Sequence, residues 1–184
     1  MFALNTRLRT KYFIGISPPA EISQSIEEIK LELFREHRLK GALRSPAHIT
    51  LHRPFEWKTD KEGELIEHLE KFHFQRKFRI QLRDFACFQP KVIYVNVLAN
   101  QDLTDLYYLL SGYARRNMLL FNESEDERGF KPHVTVAFRD LKKQLFYKLW
   151  DTYSSKKFEA EFEYSGISLF RMENKWDIRK SFCI

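Results

Sequence analysis

One pattern constrains this chain more than any other. A strand-like run opened by His-x-Thr occurs twice, as His48-Ile49-Thr50-Leu51 and His133-Val134-Thr135-Val136, 85 residues apart. Thr makes up seven of 184 residues, so two such pairs among six His would arise by accident in about 2% of chains of this composition. Each copy also sits in the same order of elements. Lys11 to Ser17 reads as a strand, Ser17 with Pro18 or Pro19 as a helix start, and Ile22, Ile26, Ile29 and Leu33 as the helix face to about His37. A loop with Gly41 and Pro46 leads into the first motif strand, His48 to about Phe55. Thr59 to Glu62 resembles a capping box, Leu65, Leu69 and Phe72 give the next helix its face, and Phe78 to Phe88 reads as a strand.

From Lys91 the order recurs. Val92 to Leu98 is a strand, and Asn100 or Asp102 can cap a helix with the face Leu103, Leu106, Leu110, Ala114 and Met118. A polar, acidic loop over Asn122 to Gly129 precedes the second motif strand, His133 to about Phe138. A helix from Leu141 to about Tyr153 and strands over Phe158 to Met172 and Trp176 to Phe182 close the chain. The expected fold class is therefore α+β and bilobal: two pseudo-symmetric lobes, each an antiparallel sheet with helices outside, whose motif strands face a central cleft. Two copies are too few for a solenoid. We expect one domain over residues 1–184, with intertwined lobes that take roughly the first and second halves of the chain.

Side chains alternate along a strand, so His48 and Thr50 share one face while Ile49 and Leu51 point the other way; His133 and Thr135 do the same against Val134 and Val136. Imidazole is the side chain that takes both protonation states near neutrality, so one neutral and one protonated ring can serve as general base and general acid. The Thr hydroxyls can hold an oxyanion. A lone strand His is usually structural; the duplication reverses that reading. No third ligand stands at zinc spacing near either motif, so neither a metal nor another cofactor is expected. A net charge of +6 favours anionic partners such as phosphates or RNA, or reflects a merely basic surface. With 43% apolar residues and 17 Phe the chain can fill a core. It has no apolar run that would span a membrane and no apolar segment behind Arg7, Arg9 and Lys11 to make a secretory signal. Cys87 and Cys183 form no disulfide framework. A cytoplasmic, reduced monomer is the expectation. Tyr12 and Phe13 read as core, and the acidic stretch Glu123 to Glu127 as a solvated loop.

At these residues the sequence resembles the two-histidine (2H) phosphoesterase superfamily, and within it the 2′-5′ RNA ligase and cyclic phosphodiesterase group. Two His-x-[Thr/Ser]-x motifs with apolar x define that family. The resemblance extends to the opening strand and Pro-started helix (Phe13 to Pro19), to Pro46 and Pro132 before the motifs, and to Phe55 after the first. It implies a metal-independent hydrolase that opens 2′,3′-cyclic phosphates or related phosphodiesters of RNA ends or nucleotides, or reversibly joins RNA 2′-5′. His48 and His133 would be the acid/base pair, and Thr50 and Thr135 would bind phosphate. Which His is acid and which product forms stay open. RNA-ligase-type members often carry a Phe soon after the first motif and an Arg after the second. Here Arg53 and Phe138 stand at those positions, with Phe55 and Arg139 close behind. On unbroken strands His52 and Arg139 would also face the groove, and Arg53 would reach it only if the strand bends before Pro54. Two other readings remain: an RNA-end or nucleotide-binding module without significant catalysis, and an enzyme for a small or non-nucleic phosphodiester.

Overall fold

The computed structural model describes residues 8–122 and 129–183. The expected strands and helices form: β1 (Arg9–Ile16), α1 (Ala20–His37), β2 (Ile49–Lys58), α2 (Glu62–Glu70), β3 (Arg79–Phe88), β4 (Val92–Val97), α3 (Gln101–Met118), β5 (His133–Ala137), α4 (Lys143–Tyr153), β6 (Glu159–Glu163), β7 (Gly166–Met172) and β8 (Trp176–Cys183). They build two four-stranded antiparallel sheets, ordered β2-β1-β7-β8 and β5-β4-β3-β6. The α+β class and the bilobal arrangement hold. Each motif strand is an outer strand paired to the leading strand of its own unit, and β2 and β5 approach one another between the sheets.

The helices knit the two lobes together. α1 packs beside β5 and α3 beside β2, so each helix supports the motif strand of the opposite lobe. The apolar stripe of α3 is buried residue for residue as its spacing predicts: Leu103, Leu106, Leu110, Ala114 and Met118. Each Leu of that stripe contributes roughly 1.5–3 kcal/mol of burial. Asn100 caps this helix by accepting the Leu103 N–H at 3.0 Å. Tyr12 is fully buried in the main core, and Phe13 in a small cluster with Phe170 and Trp176. Among the described residues no helix is long and apolar enough to cross a membrane.

Three local expectations change. The run from Phe158 to Met172 is two strands, β6 and β7, which lie in different sheets. Gly166 makes the break at φ +138°, where any Cβ would collide with the Phe182 carbonyl. The first sheet thus takes residues 9–58 and 166–183, while the second is built from 79–163. Ser17 does not cap α1. Two prolines separate it from the helix, and its hydroxyl instead donates to Ser168 Oγ at 3.3 Å. The Thr59–Glu62 capping box is not made either, because Glu62 is claimed by stronger partners: it accepts from the Tyr12 hydroxyl (2.8 Å), Arg171 (3.0 Å) and Arg179 (2.6 Å), tying α2 to β1, β7 and β8. The acidic stretch Glu123 to Glu127 lies outside the described residues.

Candidate active site

Both motif histidines line one cleft of about 650 Å³ together with Thr50 and Thr135. The two rings are anchored alike. His48 Nδ1 lies 2.7 Å from the Pro46 carbonyl, and His133 Nδ1 lies 2.7 Å from the Lys131 carbonyl. A carbonyl oxygen only accepts, so each Nδ1 carries the proton and donates it. Each Nε2 is then the nitrogen that can exchange a proton with an occupant of the cleft. In both lobes the anchor is the carbonyl two residues before the imidazole.

Each motif ends in a β-bulge at the same place. Against β1, Gly15 pairs Thr50 and Ile14 pairs His52, which leaves Leu51 extra. Against β4, Tyr94 pairs Thr135 and Ile93 pairs Ala137, which leaves Val136 extra. One inserted residue inverts the facing of the residues that follow it up to the next irregularity, which on β2 is a second bulge opposite Tyr12 and Ile14 and after β5 is Arg139 at φ +63°. Residues 53 and 138 therefore turn into the cleft, and residues 52 and 137 turn to the core. Arg53, Phe138 and Arg139 line the cleft; His52 and Phe55 do not. His52 is 1% exposed, and its Nδ1 N–H donates to the Arg53 carbonyl at 2.9 Å. Its Nε2 is buried without a partner. Phe55 packs on the rings of Tyr12 and His52, with centroids at 6.1 and 5.2 Å. The groove role expected of His52 from simple alternation is lost to the first bulge, and Phe55, the other candidate, is turned away by a second one between His52 and Phe55.

Aromatic rings enclose both imidazoles. Phe13 and Phe170 flank His48 at centroid distances of 4.5 and 5.3 Å, and Trp176 meets Phe13 edge-on. Phe88 and Tyr94 flank His133 at 5.1 and 4.8 Å. Burial disfavours the charged ring, so both histidines hold protons more weakly than free imidazole. His48 is lowered to about 4, by burial first and then by the charges of Lys30 and His133. A bound phosphate anion would act in the opposite direction on both.

Motif reading missed several residues that close and line the cleft. Asn122 bridges the bulge of β2: its amide donates to the Leu51 carbonyl (2.7 Å) and accepts the Arg53 N–H (2.9 Å), giving that edge strand the partners a neighbouring strand would supply. At the other end Asp140 accepts the Lys40 and Gly41 N–H groups at 2.7 and 3.0 Å, closing one lobe on the other. Phe130 stacks on Tyr107 at 4.0 Å. Arg44, Arg53, Lys91, Lys131 and Arg139 line the cleft, and among the described residues no carboxylate does. Nor do the described residues include a group of three or more His, Cys, Asp or Glu side chains that could hold a metal ion.

A family model, the 2'-5' RNA ligase superfamily, matches residues 18–176. The chain belongs to this superfamily. Solved structures share the fold over nearly the whole length. LigT of E. coli complexed with 3'-AMP is 19% identical, with 96% of this chain and 99% of that one covered and a TM-score of 0.64. A protein described as a phosphoesterase is 19% identical over 96% and 99% of the two chains, with a TM-score of 0.63. TT0787 of Thermus thermophilus is 17% identical over 94% and 97%, with a TM-score of 0.61. LigT has also been solved with NADP+, phosphate and ATP. No curated protein matches this chain. Within the superfamily fold, the two anchored imidazoles and their neighbouring hydroxyls line one cleft as equivalent pairs from the two lobes.

Proposed function

We propose that this protein is a metal-independent phosphodiesterase acting on 2′,3′-cyclic phosphates or related phosphodiesters of RNA ends and nucleotides. The observation that carries the reading is the pair of Nδ1-anchored imidazoles in one cleft, each with a Thr two residues on. A neutral Nε2 takes a proton from water as the water oxygen bonds to phosphorus. The bond from phosphorus to one ribose oxygen breaks, and the second imidazole, protonated, gives that oxygen its proton. Thr50 and Thr135 hold the non-bridging phosphate oxygens. The cationic lining suits an anionic substrate, and Phe138 offers a ring face to a base. The nucleotides bound by LigT accord with this substrate class. With an RNA 5′-hydroxyl in place of water, the same machinery would bond that oxygen to phosphorus, break the bond to the 3′ oxygen and protonate it, leaving a 2′-5′ phosphodiester.

The test is turnover of 2′,3′-cyclic nucleotides in EDTA, with chromatography of the 2′- or 3′-phosphate product. His48→Ala and His133→Ala should each lower kcat by about 10²–10⁴-fold. Unchanged turnover in either variant would overturn the reading. Salt-sensitive oligonucleotide binding without turnover would favour a binding module instead.

A further inference from the structure

α1 turns one charged side chain inward. Lys30 falls on the buried stripe between Ile26 and Leu33 and is 2% exposed. A lysine is almost never fully buried unless it is paired. Its Nζ pairs with Glu27 Oε1 at 2.7 Å and donates to the Ser45 carbonyl at 3.0 Å. Burial weakens its hold on the proton, and Glu27 strengthens it. Ser45 directly precedes Pro46, whose carbonyl anchors His48 Nδ1. Two hydrogen bonds and one peptide unit therefore join the ammonium group to the imidazole. In the other lobe the corresponding stretch is held by a neutral contact, Phe130 stacked on Tyr107 next to the Lys131 carbonyl.

The placement also has an electrostatic side. The remaining titratable and charged groups around His48 are His133 on β5 and the cations lining the cleft, Arg44, Arg53, Lys91, Lys131 and Arg139. Those cations face the cleft that both imidazoles share. Lys30 lies behind the His48 wall, and its charge opposes protonation of His48.

We infer that Lys30 is a positioning residue for His48: it fixes the backbone anchor of that ring and sets a positive charge behind it, so that His48 takes the proton and His133 gives it. The inference rests on the phosphodiesterase reading above. In hydrolysis the water proton goes to His48 Nε2, the water oxygen bonds to phosphorus, the bond to the ribose oxygen breaks, and that oxygen receives the His133 Nε2 proton. Exchange with solvent restores both rings.

The test is an NMR titration of both imidazoles in the wild type, Lys30→Met and Glu27→Gln. Lys30→Met removes the charge at similar length, and His48 should then bind its proton about three-fold or more tightly. Glu27→Gln leaves the ammonium less compensated, so His48 should bind its proton more weakly. His133 should move much less in both. Opposite signs at His48 exclude a purely packing role; equal movement of both rings, or none, overturns the inference. If Lys30→Met does not fold, Glu27→Gln decides alone.

A second arm uses bis(4-nitrophenyl) phosphate, whose leaving group departs without a proton. His133→Ala should lose at least about ten-fold less on this ester than on a 2′,3′-cyclic nucleotide, while His48→Ala loses similarly on both. The reverse pattern overturns the assignment. A wild type inert on both esters defeats the phosphodiesterase reading, and the NMR comparison still decides whether Lys30 controls the His48 proton.

Discussion

Arg53 and Phe138 occupy the same place in the two lobes, each three residues past the motif Thr and just beyond a bulge. The cleft is symmetric in its imidazoles and hydroxyls and asymmetric at this pair of positions. That gives it a direction: an arginine alone at this place in one lobe, and in the other an aromatic ring with the Arg139 guanidinium 5.1 Å from its centroid.

If Phe138 carries a base, Phe138→Ala should raise KM for a cyclic nucleotide by about 5–150-fold, the range that corresponds to 1–3 kcal/mol of stacking. Inhibition by inorganic phosphate, which has no base to stack, should be unchanged. Competition kinetics with both ligands checks this, and equal weakening of both would show that Phe138 only shapes the cleft.

The Thr hydroxyls are expected to act on the phosphate rather than the fold. Thr50→Val and Thr135→Val should each lower kcat/KM by about 10–100-fold, as befits one hydrogen bond to a charged group. Their urea midpoints should stay near that of the wild type. A midpoint drop that accounts for the lost activity would reassign these residues to packing.

Acid should weaken the fold through its buried histidines. His48, His52 and His133 all hold protons less tightly folded than unfolded, and burial is the leading cause for each. The unfolded chain then binds more protons as pH falls below about 6.5, the ordinary imidazole value, so stability falls with pH toward about 4, where His48 itself titrates. His52→Leu removes one of the three groups. Its loss of stability between pH 7 and pH 5 in urea titrations should be smaller than that of the wild type. An equal loss would place the acid sensitivity elsewhere.

The clasps across the cleft should matter unequally for stability and turnover. Asn122→Ala strands the Leu51 carbonyl and Arg53 N–H at the bulge and should cost about 1–3 kcal/mol. Asp140→Ala frees two backbone N–H groups and should cost a similar amount. Because the bulge aims Arg53, Asn122→Ala should also alter KM, which paired thermal melts and kinetics would reveal.

Much of this was legible in the chain, and the exceptions share a cause. The α3 stripe and its Asn100 cap follow from spacing alone, because every determinant is local. The motif strands followed from duplication. His52 was misplaced because a bulge depends on how β1 pairs with β2, which no single strand encodes. Tyr164 and Ser165 are ordinary strand residues, so the division between β6 and β7 had only Gly166 to announce it. Lys30 escaped because a lysine on an apolar stripe reads as an interruption of the pattern, whereas its ammonium in fact reaches Glu27 and Ser45. Asn122 and Asp140 act across the lobes, where sequence distance hides them.

The sheet that carries His48 is assembled from stretches of chain more than a hundred residues apart, while the sheet that carries His133 is drawn from one continuous span. During synthesis the His133 half can close as soon as β6 has emerged. The His48 half must wait for β7 to supply Phe170 and for β8 to supply Trp176. A ribosome thus releases the second imidazole's surroundings first, and a nascent chain holds one finished wall of the cleft well before it can hold both.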